Sequence, residues 1–137
     1  MIKILVLCTG NSCRSQIAEG YLKLFLKGKA QVLSAGTKNH EINKYAIETM
    51  KCDGIDISTH SSNNVSEFKK IKFDYVITVC DHAKETCPIF ISNSATKLHK
   101  NFFDPSSITN PEKIKGAFEL CRDEIKKFCY DFSKNLN

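Results

Sequence analysis

The stretch Ile2–Leu22, IKILVLCTGNSCRSQIAEGYL, decides the fold. Its opening, Ile2 to Leu7, is a near-continuous apolar run, the pattern of a strand buried on both faces. From Arg14 to about Lys27 the apolar residues Ile17, Ala18, Tyr21, Leu22, Leu24, Phe25 and Leu26 recur at helical spacing, and Gly28 stops the run. Between strand and helix lies a loop, CTGNSC, in which Gly10 frees the turn and Asn11 tolerates unusual backbone angles. Strand, tight polar loop and helix in that order are the first unit of a parallel α/β sheet.

The alternation continues outward. Gln31 to Ala35 reads as a second strand ending at Gly36, and Asn43 to about Lys51 as a helix with Ala46, Ile47 and Met50 on one face. Asp56 to Asn64 is loop chemistry, and Val65 to Lys70 has the makings of a short helix. Tyr75 to Val79 is a strong strand, after which Asp81 is a candidate cap for a short helix. Thr96 to His99 is a weaker strand. Pro111 to about Phe132 reads as a long helix, with Ile114, Ala117, Phe118, Cys121, Ile125 and Phe128 on its apolar face. The expected fold is one three-layer α/β domain over residues 1–137, a four-stranded parallel sheet with helices on both faces.

Composition narrows the function. The chain has 137 residues, 42% of them hydrophobic, and a formal net charge of +5 from scattered lysines. Scattered charge reads as solvated helix faces rather than a nucleic-acid patch, though it favours an anionic substrate or acidic partner. No apolar run reaches membrane-spanning length, and the N-terminal run is too short for a signal peptide, so a cytoplasmic, membrane-free location is expected. No surplus apolar face is visible, which predicts a monomer. Seven cysteines are present: Cys8, Cys13, Cys52, Cys80, Cys87, Cys121 and Cys129. An odd number without a secretory signal speaks against a disulfide scaffold, and no pair has CxxC spacing. Buried thiols, catalytic thiols, or both remain.

The opening loop is where the chemistry concentrates. Cys8 stands at the carboxyl end of the first strand, where open α/β sheets bind ligands. The backbone N–H groups of Thr9, Gly10, Asn11, Ser12, Cys13, Arg14 and Ser15, together with the following helix N-terminus, suit an oxyanion. The Arg14 guanidinium can fork onto two of its oxygens, and the same field favours a Cys8 thiolate. Ser15 is placed to cap the helix or to hydrogen-bond the Cys8 sulfur.

VLCTGNSCRSQIAEGYL resembles the low-molecular-weight protein tyrosine phosphatase superfamily, and more closely its thioredoxin-coupled arsenate reductases. The likeness continues through SAGT (Ser34–Thr37), Asp56 to Ser61, VITVCDHAKETCP (Val76–Pro88) and Asp104-Pro105. Besides a low-molecular-weight tyrosine phosphatase-like fold, the resemblance implies a cascade. Cys8 attacks arsenate, a Cys8–Cys80 disulfide forms as arsenite leaves, Cys87 exchanges to give Cys80–Cys87, and thioredoxin reduces that redox-active disulfide. No cofactor is required. Asp104 would be the general acid. The alternative is phosphotyrosine hydrolysis through a Cys8 phosphoenzyme, which needs neither Cys80 nor Cys87. Ser106 and Ser107 follow Asp-Pro where the phosphatases carry aromatic residues, and Phe103 stands where the reductases carry an acid.

The resemblance also implies a potassium site at Asn11, Glu19, Ser34 and Asn63, with Asn63 replacing an aspartate. Without the ion, Glu19 would hydrogen-bond the loop from behind. His60 reads as a loop buttress or a polar surface residue, and His40, His82 and His99 carry no readable signal. Cys13 is expected to be structural, and Cys52, Cys121 and Cys129 to serve packing.

Overall fold

The computed structural model describes residues 1–38, 40–88, 91 and 94–136. Four parallel strands, β1 (Ile2–Cys8), β2 (Ala30–Gly36), β3 (Tyr75–Thr78) and β4 (Thr96–His99), lie in the order β2-β1-β3-β4. Successive residues of a strand face opposite sides of the sheet, yet Ile4, Leu5, Val6 and Leu7 all have no exposed surface. Both faces of β1 are therefore covered, as the unbroken apolar run requires.

The helices named here among the described residues are α1 (Arg14–Phe25), α2 (Lys44–Cys52), α3 (Asp81–Thr86) and α4 (Pro111–Asn135). Gly28, at φ +79°, turns the chain after α1. The Asn43 side chain caps α2 by accepting from the N–H groups of Tyr45 and Ala46. Val65–Phe68 is a 3₁₀ turn with a capping box between Asn64 and Glu67. Of the predicted apolar stripe of α4, Phe118, Cys121 and Ile125 are buried and Ile114, Ala117 and Phe128 half-buried; Cys129 is buried beside them, and α4 packs on α1 and α2.

Three local expectations are corrected. Cys80, not Asp81, is the N-cap of α3, with its sulfur accepting from the Ala83 N–H at 3.4 Å. Ser15 neither caps α1 nor bonds the Cys8 sulfur, because its hydroxyl donates to Asn11 Oδ1 at 2.8 Å. Cys52 ends α2 on the outer side and is exposed, so it does not pack.

Register places the site. Cys8 pairs with Gly36, and Leu7 with Thr78, so Cys8 and Cys80 leave the same rim of the sheet from adjacent strands. The next turns from β2 and β4 flank them there.

Candidate active site

The loop after β1 is held from every side. Asn11 adopts a left-handed backbone, φ 50°, which a short amide side chain tolerates. Its Oδ1 accepts from Ser15 and from Gln16 Nε2, while its Nδ2 donates to the carbonyls of Ser34 and Asn63. Gln16 also donates to the carbonyls of Asn11 and Ser61 at 3.0 Å each. The carbonyls of Thr9, Gly10 and Ser12 accept from the N–H groups of Lys38, His40 and Asn43. A trans peptide sets N–H opposite C=O, so the N–H groups of Gly10, Asn11 and Cys13 point away from that flanking segment. Gly36 closes the back: a Cβ there would lie 2.5 Å from the carbonyl oxygens of both Thr9 and Lys38.

These constraints shape a cavity of about 230 Å³ lined by Cys8 through Arg14 together with His40, Asp104 and Ser106. The Ser15 side chain is fully buried beneath the loop, where its hydroxyl supports Asn11. Arg14 donates from Nη1 to the Phe102 carbonyl at 2.8 Å, and its Nη2 lies 3.7 Å from Asp104 Oδ2. The other Asp104 oxygen accepts from Ser106, fixing the carboxylate at the head of a 3₁₀ turn, Pro105–Ser107.

Cys8 lines this cavity, and a second sulfur meets it there from behind the lining. Cys8 Sγ donates to Cys80 Sγ at 3.5 Å, and the Thr9 hydroxyl lies 3.4 Å from Cys80 Sγ. The hydrogen bond to Cys80 and then burial push the Cys8 thiol well above its ordinary range, with Arg14 pulling the other way. The same bond, helped by Thr9 and the Ala83 N–H against desolvation, holds Cys80 down to about 5. The two sulfurs share one hydrogen bond and titrate as a pair. Cys13 is held up by burial first and stays a thiol. Burial likewise pushes Cys121 up to about 12.

Cys87 lies at the far end of α3, as its C-cap. Seven residues of helical rise put its Cα about 10 Å from that of Cys80, beyond the roughly 7 Å a disulfide spans. A bond between them requires α3 to unwind.

Behind the loop, Asn11, Glu19, Ser34 and Asn63 come together as predicted. Glu19 accepts from the Ser34 hydroxyl and pairs with Lys23. His60 Nδ1 contacts Gln16 Oε1 at 3.0 Å and lies 3.6 Å from Glu19; burial lowers its pKa more than Glu19 raises it. His60 is thus a buttress and not a free surface group. Sequence reading missed His40, whose imidazole sits on Gly10, and Gln16, a polar residue on the inward face of α1. It also missed the Phe102 carbonyl, which no side-chain pattern encodes.

Strand, cradle, arginine and aspartate in this arrangement define a cysteine-based oxyanion enzyme of α/β fold. Residues 3–137 match the family described as low molecular weight phosphotyrosine protein phosphatase, and the chain belongs to it. Within that family it groups with the arsenate reductases. It is 46% identical over 133 residues to arsenate reductase 1 of Staphylococcus epidermidis, covering 97% of this chain and 96% of that protein. It is 42% identical over 132 residues to the arsenate reductase of Halalkalibacterium halodurans, covering 96% and 94%. A solved structure of an arsenate reductase in the phosphate binding state superposes with TM-score 0.87 at 28% identity, covering the whole of both chains.

Proposed function

We propose that the protein reduces arsenate to arsenite by a three-cysteine relay recycled by thioredoxin. The observation that carries this reading is the 3.5 Å approach of Cys80 Sγ to Cys8 Sγ at a cavity shared with Arg14 and Asp104. A hydrolytic phosphatase has no use for a second sulfur there.

Arsenate enters the loop, bound by its N–H groups and by Arg14. The proton between the two sulfurs passes to Cys80, and Cys8 attacks arsenic. A hydroxyl leaves as water with the proton Asp104 supplies. Cys80 then loses that proton to solvent and attacks Cys8 Sγ as thiolate. The S–S bond forms, the S–As bond breaks, and its electron pair stays on arsenic, taking As(V) to As(III) as arsenite departs. Cys87 thiolate then attacks Cys80 Sγ, expelling Cys8 as thiolate. Thioredoxin supplies the two electrons that reopen Cys80–Cys87.

Potassium has no part in this scheme. The oxygens it would use are already engaged: Asn11 Oδ1 by Ser15 and Gln16, Glu19 by Ser34 and Lys23, and the Ser34 carbonyl by both asparagines. As arranged, the Lys23 ammonium supplies the positive charge beside Glu19. We place the protein in the cytoplasm, whose reducing poise keeps the thiols ready, and infer a monomer, which size-exclusion with light scattering would check.

The deciding assay supplies arsenate, thioredoxin, its reductase and NADPH. Arsenate-dependent NADPH oxidation that vanishes in Cys87→Ser supports the reductase. Hydrolysis of a phosphotyrosine mimic with no arsenate-dependent oxidation would establish the phosphatase instead.

A further inference from the structure

We propose that His99 is a positioning residue for Cys80: its imidazole staples Thr78 to Asp81 and so aims the Cys80 sulfur at Cys8. The inference rests on the reductase reading above.

The staple is built from strong contacts. His99, at the end of β4, places Nδ1 2.7 Å from the Thr78 hydroxyl and Nε2 2.7 Å from Asp81 Oδ1. Thr78 is two residues before Cys80 and Asp81 one residue after it, so one ring brackets the relay sulfur on both sides. Asn101 adds a second tie, its Oδ1 accepting from the Asp81 N–H at 3.1 Å. Two backbone bonds zip the same segments together, from the Lys100 N–H to the Thr78 carbonyl and from the Phe102 N–H to the Val79 carbonyl. Cys80 is thereby held extended, φ −146° and ψ 151°, the conformation in which its sulfur meets Cys8 and caps α3.

The arrangement also says which end of α3 moves. Cys80 and Cys87 must close about 10 Å to bond. The Cys80 end is tied down by His99 of β4 and by Asn101 just beyond it, so Cys87 travels to Cys80. Among the described residues, the His99 side chain hydrogen-bonds Thr78 and Asp81 and no residue that lines the cavity, so its work is confined to the sulfur-to-sulfur step.

The test separates that step from Cys8 chemistry. In a Cys87→Ser background, arsenate is mixed with the reduced protein, and the Cys8–Cys80 disulfide is timed by acid quench and peptide mass mapping. Hydrolysis of p-nitrophenyl phosphate reports the Cys8 step, in which Cys80 forms no covalent bond. His99→Ala is expected to slow disulfide closure roughly tenfold, a displaced nucleophile being costly, and to leave ester hydrolysis within about twofold. His99→Gln, which keeps a donor at the Nε2 position, should restore most of the rate. Asp81→Ala should slow closure similarly, and the double variant His99→Ala/Asp81→Ala should be no slower than either single one. Closure at the parent rate in both single variants, additive losses in the double, or ester hydrolysis falling in parallel would each overturn the staple. Should His99→Ala fail to fold, the exposed Asp81→Ala and Asp81→Asn variants carry the test. Absence of any arsenate-triggered Cys8–Cys80 bond with His99 intact would instead overturn the reductase reading, and this inference with it.

Discussion

The loops that follow β1 and β3 leave the sheet side by side and are built on opposite plans. The first is tied through Asn11, Gln16, the carbonyls of Thr9, Gly10 and Ser12, and the close approach of Gly36. The second, carrying α3, is anchored by His99 and Asn101 at the Cys80 end, with most of its polar surface exposed. Tetrahedral anions are held best by donors already in place, so the cradle is rigid. A sulfur that must travel to its partner, as Cys87 does, needs a segment of low local stability.

The largest effect is expected at the cradle's centre. Cys8→Ser should lower both arsenate-triggered disulfide formation and ester hydrolysis by at least about a thousandfold, measured in single turnovers. Nearly as large is the change Cys8→Ala makes across the loop boundary. Above pH of about 5, the Cys80 thiolate should be present in the wild type, and it should be lost as pH falls through that value. Removing the Cys8 donor should move this transition up towards the ordinary thiol value of about 8.5. Thiolate ultraviolet absorbance, differenced against Cys80→Ser, reads it; an unmoved transition would mean that the two sulfurs do not share a proton.

Asp104→Asn keeps the shape of the carboxylate and removes its proton. The Cys8 step should slow roughly a hundredfold, with the loss greatest for poor leaving groups. Gly36→Ala tests rigidity: with backbone oxygens 2.5 Å from the new methyl, it should cost about 1–3 kcal/mol in urea unfolding. The smallest effect is expected on α3. Thr86→Ala removes an exposed hydroxyl bond to the His82 carbonyl and should change global stability by less than about 0.5 kcal/mol. A loss as large as that of Gly36→Ala would erase the contrast between the two loops.

Much of this was legible in the chain because it is local. The apolar run before Cys8, the helical spacing after Arg14 and the strand before Cys80 are patterns within short windows, and they place the rim of the sheet. The residues of the cradle follow from the same windows. What escaped is carried by distant partners. Arg14 is fixed by a carbonyl 88 positions away, and the proton between Cys8 and Cys80 depends on a register no local pattern encodes. Asp81 looked like a cap because aspartate commonly is one. The sulfur before it took the role, and a histidine from another strand took the carboxylate.

Cys52, exposed at the end of α2 and outside the rim, has a practical consequence. Each turn of the relay hides two thiols, and that stoichiometry is what a thiol titration would be asked to count. A surface sulfhydryl that bulky reagents and chance oxidants reach first adds a baseline unrelated to arsenate. Electron counting on this protein is therefore cleanest in a Cys52→Ser background, where every thiol lost belongs to the relay or the core.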